Sequence, residues 1–196
     1  MTTFFTSDTH FGHARIIELS NRPFRDVEHM NTEIVRRWNE TVMPDDTVFH
    51  LGDVALGPID LSLPIVSRLN GYKILVNGNH DRPFMNRGKA RFDEWHNRYA
   101  EVFQAVTFTT ALPHYLSDGT RVTLSHFPYD GDSHGADRYQ EDRPVDNGLT
   151  LIHGHTHMDN RFSRSANGSP QVHVGQDAWN FTPVSEAQVL DILANI

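Results

Sequence analysis

The sequence predicts an α/β fold, one domain over residues 1–196, with two β-sheets and its chemistry gathered at strand ends. Three observations lead there. In the first half, short apolar runs alternate with stretches of helical periodicity, the β-α-β-α-β order of an α/β protein. Each apolar run ends in glycine, carboxylate, imidazole or carboxamide. The second half then changes to strand-like runs with a hairpin signal between two of them, which calls for a second sheet.

Thr3–Thr6 reads as the first strand and delivers Ser7-Asp8-Thr9-His10. Ile16, Ile17 and Leu19 mark a short helix over 14–19, and Asn21-Arg22-Pro23-Phe24 a turn. Val27, Met30, Ile34, Val35 and Trp38, at steps of three and four, predict an amphipathic helix that Pro44-Asp45-Asp46 ends. Thr47–Leu51 is the second strand and leads to Gly52-Asp53. Leu61, Ile65, Val66 and Leu69 predict a helix stopped by Asn70-Gly71. Lys73–Val76 is the third strand, followed by Gly78-Asn79-His80-Asp81. Phe92, Trp95 and Tyr99 suit a helical face.

Strands are expected over 102–108, 111–116 and 120–125, the last two joined at Ser117-Asp118-Gly119, with His126 just beyond. Residues 127–147 lack apolar periodicity, and a loop that long points to a functional segment. Leu149–Ile152 is a strand leading into His153-Gly154-His155-Thr156-His157. Residues 171–175 and the stretch around Pro183-Val184 read as closing strands. Ser185-Glu186-Ala187-Gln188 has capping-box spacing and opens a final helix through Val189, Leu190, Ile192 and Leu193.

Composition narrows the chemistry. With no cysteine, disulfides and thiolate metal sites are excluded, so a metal would be held by N and O ligands, as suits Mn, Fe, Zn, Ni or Co. A formal charge of −8 argues against stable binding to duplex nucleic acid. It leaves room for a small phosphate ester, because bound cations reverse the local field. No apolar run approaches the ~18–20 residues of a membrane span. The N-terminus lacks an export signal, so a cytoplasmic protein is expected.

Five strand ends carry groups that can bind a metal: Asp8/His10, Asp53, Asn79/His80, His126 and His155/His157. Residues two apart on an extended segment point to the same side, so Asp8 with His10, and His155 with His157, are each expected to aim two ligands into one cavity. Two carboxylates, an amide oxygen and several imidazoles suit a pair of transition metals with open positions for water and substrate. Any one of these pieces arises by chance in ordinary turns; five in order, each after an apolar strand, are poorly explained that way.

Asp8-Thr9-His10, Gly52-Asp53, Gly78-Asn79-His80-Asp81, His126 and Gly154-His155-Thr156-His157 resemble the five motifs of the calcineurin-like metallophosphoesterases. The resemblance runs from residue 8 to about 185 and is nearest to the small phage and bacterial phosphoesterases. It implies a four-layer α/β/β/α sandwich with two mixed β-sheets and a dimetal site at the strand ends. It implies Asp8, His10 and His157 on one metal, Asn79, His126 and His155 on the other, and Asp53 bridging both. His80 would face the phosphate as general acid, with Asp81 orienting and charging it, so that His80, Asp81 and Asp53 form the catalytic set. The two metals would be divalent or mixed-valence transition ions, manganese first, with iron, nickel, zinc or cobalt as alternatives.

The implied activity is hydrolysis of phosphodiesters such as cyclic nucleotides, the 2′,3′ kind included, by a hydroxide bridging the metals. A phosphomonoesterase or a dinucleoside-polyphosphate hydrolase is the first alternative. A non-catalytic binding module on the same fold is another, against which the full ligand set and His80 weigh. A mononuclear redox protein would leave Asn79 and most of the histidines idle. The expected partner is a small phosphate ester or nucleotide, with no membrane, and the chain a monomer or homodimer.

Some residues stay open. His13 reaches the pocket or packs against 21–24. Arg22 and Arg82 are substrate contacts or surface arginines. Arg82, Arg87, Lys89 and Arg91 steer anions or form a solvated segment. His50 and His153 stand behind the ligands or in the core. His29, His96, His114 and His134 read as surface residues, and His173 has no assignment. Trp179, Asn180 and Phe181 line the pocket or pack in the core.

Overall fold

The computed structural model describes residues 1–84, 88–133 and 137–196. In chain order the strands of the first sheet begin with β1 (Thr3–Thr6), β2 (Thr47–His50), β3 (Tyr72–Leu75) and β4 (Ala105–Val106). Then come β5 (Ala111–Tyr115), β6 (Arg121–Ser125), β7 (Thr150–His153), β8 (Phe162–Arg164), β9 (Pro170–His173) and β10 (Val184–Ser185). The helices are α1 (Ile16–Leu19), α2 (Val27–Thr41), α3 (Ile59–Ser62), α4 (Lys89–Ala100) and α5 (Glu186–Ala194). Two five-stranded mixed sheets result, ordered β10-β1-β2-β3-β4 and β5-β6-β7-β9-β8. β1 to β4 are parallel, with β10 antiparallel on β1; β6, β7 and β9 are parallel, with β5 and β8 antiparallel at the edges.

The pleat of the first sheet decides how the layers stack. Phe4 and Val48 point to one face and join Met30, Ile34 and Trp38 of α2 and Tyr99 of α4. Phe5 and Phe49, their neighbours in sequence, point to the other face and join Val122, Leu124, Ile152 and Val172 of the second sheet. The two rings stack across β1 and β2 with centroids 5.8 Å apart. The chain is therefore an α/β sandwich with α1 to α4 on the outer face of the first sheet. α5 packs Leu190, Ile192 and Leu193 against the inter-sheet core. Its start carries the capping box read from the sequence: the Ser185 hydroxyl accepts from the Gln188 N–H, and the Gln188 side chain accepts from the Ser185 N–H. Among the described residues, no helix is long and apolar enough to cross a membrane.

Three elements and one residue depart from expectation, each for a local reason. The helix expected over 61–69 is α3 followed by a 3₁₀ turn at Leu63–Arg68, because Pro64 has no N–H to continue the α-helical ladder. The strand expected over 102–108 shrinks to β4, since Val102 and Phe103 fold back against the end of α4 as part of the helical core. β8 has no apolar signature of its own and exists by pairing with β9. His114, expected at the surface, lies on β5 with its ring tilted against Phe49 at 4.8 Å. Trp179 and Phe181 are core residues, one in each cluster. Arg87 and His134 lie outside the described residues.

Candidate metal centre

β1, β2 and β3 run parallel, so their carboxyl ends release three loops side by side, and β6 and β7 bring two more from the second sheet. The loops are tied by backbone: the Asp8 N–H donates to Gly52 O (3.0 Å) and the His10 N–H to Asp53 O (3.1 Å). Gly78 and Gly154 permit the closest approaches. A Cβ on Gly78 would overlap Asp53 Oδ1, and one on Gly154 would overlap Ser7 and stand 2.6 Å from Asp8 Oδ2.

The backbone there is not extended. Asp8, His10, Asp53, His155 and His157 all have positive φ, between 50° and 71°. They are five of the nine non-glycine residues with positive φ among the described residues, so left-handed backbone concentrates at this centre. Each such residue costs roughly 1–2 kcal/mol and persists only where the surroundings hold it. Thus Asp8/His10 and His155/His157 do converge, but through left-handed turns rather than through the strand alternation expected from sequence.

Two groups of donor atoms form on either side of Asp53. On one side, His10 Nε2 lies 3.6 Å from Asp53 Oδ2 and 4.0 Å from Asp8 Oδ1, and His157 Nε2 lies 3.8 Å from Asp8 Oδ1. On the other, His126 Nε2 lies 3.6 Å from Asp53 Oδ1, 3.0 Å from Asn79 Oδ1 and 3.2 Å from His155 Nδ1. Asp8, His10, Asp53, Asn79, His126 and His155 are all at least 97% buried. Asp8 Oδ1 and His10 Nε2 are buried with no hydrogen-bond partner among the described residues. His126 Nδ1 is 2.8 Å from Leu51 O, which can only accept, so the proton of a neutral ring sits there. Its Nε2 lone pair then faces the Asn79 carbonyl oxygen, an arrangement that a cation satisfies and a hydrogen bond does not. Burial pushes His155 down to about 3 and holds His10 well below the usual imidazole range, so both are neutral, the form that binds metal. For Asp53, burial favours the acid, but the nearby His126 and His80 outweigh it and keep the carboxyl lowered.

The calcineurin-like phosphoesterase superfamily domain matches residues 1–180. The chain belongs to the calcineurin-like phosphoesterase superfamily. It is 39% identical over 202 residues to the gene 66 protein of Mycobacterium phage L5, covering 99% of this chain and 95% of that one. An uncharacterized protein of Methanocaldococcus jannaschii is 27% identical over 198 residues, covering 98% and 89%. A solved structure from Aquifex aeolicus, of a protein of unknown function, superposes with a TM-score of 0.73 at 26% identity, covering 97% of this chain and 98% of that one. By family, the chain is a phosphoester hydrolase.

The centre of this phosphoesterase opens into a cavity of about 570 Å³. His80, with a side chain 40% exposed, stands at its wall with Nε2 3.9 Å from Asp53 Oδ2. His13 also lines the cavity, with Nδ1 3.4 Å from His10 Nδ1, and burial lowers its pKa to about 4. Ser133, Arg138 and Thr156 contribute to the wall, the first two from the 127–147 loop.

Three expected roles are corrected. Asp81 does not touch the His80 ring. It is fully buried and its carboxylate accepts from the backbone N–H groups of Asp53 (2.8 Å), Gly78 (2.8 Å) and Val54 (3.0 Å). It therefore staples the Asp53 loop to the Gly78 turn through three amides that have no other acceptor among the described residues. Arg22 is neither a surface residue nor part of the cavity wall. Its buried guanidinium grips Asp177 through two bonds (2.8 and 3.0 Å) and donates to the Asp8 and Thr9 carbonyls. Arg82 packs over Trp95, 5.1 Å from the ring centroid, and is not in the cavity lining.

Sequence reasoning passed over Asp177, Asp132 and Arg138. Asp177 Oδ2 accepts from His157 Nδ1 at 2.8 Å. Asp132 Oδ1 lies 3.4 Å from His155 Nε2. The only available signal was acidic residues downstream of a strand end, which is too common to select them. His50 sits behind Thr9, with its Nε2 2.9 Å from the hydroxyl, and His153 and His173 pack against each other in the core at 5.4 Å.

Proposed function

We propose that the chain is a two-metal phosphodiesterase acting on small phosphodiesters, with cyclic nucleotides, the 2′,3′ kind included, as the first class to test. The observation that carries this reading is Asp53. Its two carboxylate oxygens face different donor groups, each 3.6 Å from an imidazole nitrogen, His10 on one side and His126 on the other. Asp8, His10, His157 and Asp53 would hold one metal, and Asn79, His126, His155 and Asp53 the other. Bound divalent ions, manganese first, would activate water near neutral pH and offset phosphoryl charge.

The chain's own residues supply the rest. Asp53, fixed by Asp81 through the loop backbone, would offset the repulsion between two bound cations. Asn79 would contribute an oxygen ligand without charge, which would keep bound metals electrophilic. His80, exposed on the cavity side, is placed to give a proton to the departing oxygen of an ester. A cavity of about 570 Å³ has room for a mononucleotide-sized ester.

Metal-free protein reconstituted separately with Mn, Ni, Zn and Mg should be assayed on bis- and mono-p-nitrophenyl phosphate and on 2′,3′- and 3′,5′-cyclic nucleotides. Diester hydrolysis with at least one metal is expected. Hydrolysis of the monoester alone would overturn the diesterase reading, and inactivity with every metal would favour a binding module.

A further inference from the structure

The Gly154–His157 turn sends two histidines into the centre, and each has a carboxylate behind it. Behind His157 stands Asp177, a residue of the sandwich body, held by Arg22. Behind His155 stands Asp132, a residue of the 127–147 loop. His155 offers Nδ1 to the donor group around His126. Its opposite nitrogen, Nε2, is buried, has no hydrogen bond among the described residues, and faces Asp132 Oδ1 at 3.4 Å.

Asp132 is itself held. Arg138 donates to Oδ1 from Nη2 (2.8 Å) and to Oδ2 from Nε (3.2 Å) and its backbone N–H (3.0 Å), and the Ser133 hydroxyl donates to Oδ1 (3.2 Å). The carboxylate is 1% exposed. A carboxylate placed beyond an imidazole draws the ring proton to that side, fixes the ring's orientation and raises the basicity of the opposite nitrogen. Here that draws the proton to Nε2 and leaves the Nδ1 lone pair directed at His126 Nε2, 3.2 Å away.

We propose that Asp132, held by Arg138, is a positioning residue that sets the affinity of the second metal position, so that the 127–147 loop governs occupancy there while the sandwich body governs the first. This rests on the two-metal reading above. Arg138, which holds Asp132, also lines the cavity.

The test is calorimetric titration of metal-free protein with Mn²⁺ alone, without substrate. Wild-type protein should show two binding events. Asp132→Ala, and more mildly Asp132→Asn, should weaken one of them about 10- to 100-fold and leave the other unchanged. Asn79→Ala should abolish the same event, and adding Asp132→Ala to it should change nothing more. Asp177→Asn should weaken the other event instead. Two wild-type events that Asp132→Ala leaves untouched, or weakens equally in a protein that melts like wild type, would overturn this inference alone. A wild-type protein that binds a single metal would overturn the two-metal reading and this inference with it.

Discussion

The two sides of the centre are built alike and supported differently. On the His157 side, the supporting pair is Asp177 with Arg22, whose side chains are 5% and 0% exposed. Arg22 there also holds the Asp8 and Thr9 carbonyls, so one buried guanidinium braces the ligand loop and the carboxylate behind the ligand. Burial would raise Asp177, but His157 and the Arg22 guanidinium hold its carboxyl down to about 2. On the His155 side, the pair is Asp132 with Arg138, and Arg138 is 40% exposed. One half belongs to the body of the sandwich and the other to the 127–147 loop, whose Ser133 and Arg138 line the cavity. On the proposed two-metal reading, this contrast makes the first position a property of the fold and the second adjustable by sequence change in the loop.

The sharpest way to break this division is at Asp53, the residue both halves share. Asp53→Asn should reduce hydrolysis to background and lower metal content at both positions, measured by elemental analysis of dialysed protein. Loss at one position only would make Asp53 a member of one half. Next in size is Arg22→Met, which leaves Asp177 buried without its cation. It should destabilise the protein by ~3–5 kcal/mol in urea unfolding. His80→Ala should keep both metals yet slow hydrolysis of a poor-leaving-group ester by at least about 10²-fold, with a smaller loss on p-nitrophenyl esters that depart without protonation. Asp81→Asn should cost about 1–3 kcal/mol, since it weakens an acceptor for three buried amides, and it should lower activity through Asp53 rather than through His80. Arg138→Ala should be mildest for stability, under about 1 kcal/mol, because the pair is partly solvated. If Arg138→Ala destabilised as much as Arg22→Met, the distinction between body and loop would fail.

The strands β1, β2 and β3, the amphipathic α2 and the capped α5 were legible in the sequence, because each is specified by local periodicity or a cap. The residues now grouped around Asp53 were legible as well, since they follow apolar strands in a fixed order. What could not be read was tertiary. The left-handed backbone at Asp8, His10, Asp53, His155 and His157 is imposed by neighbouring loops, and only Asp53 and His155 have an adjacent glycine to signal it. Arg22 meets Asp177 across 155 residues of sequence, a distance at which no spacing rule operates. Asp81 looked like a partner for the histidine beside it, but three amides of the strand ends claim its carboxylate first. The loop at 127–147 was recognisable by its lack of pattern, yet its contact with the centre depends on Asp132 and Arg138, six residues apart, meeting each other.

The central claim, that Asp53 joins two metals, is tested most directly by electron paramagnetic resonance of the metal-free protein reloaded with Mn²⁺. A spin-coupled pair should appear in the wild type and vanish in Asp53→Asn. A wild-type spectrum of isolated Mn²⁺ ions, at saturating metal, would contradict it.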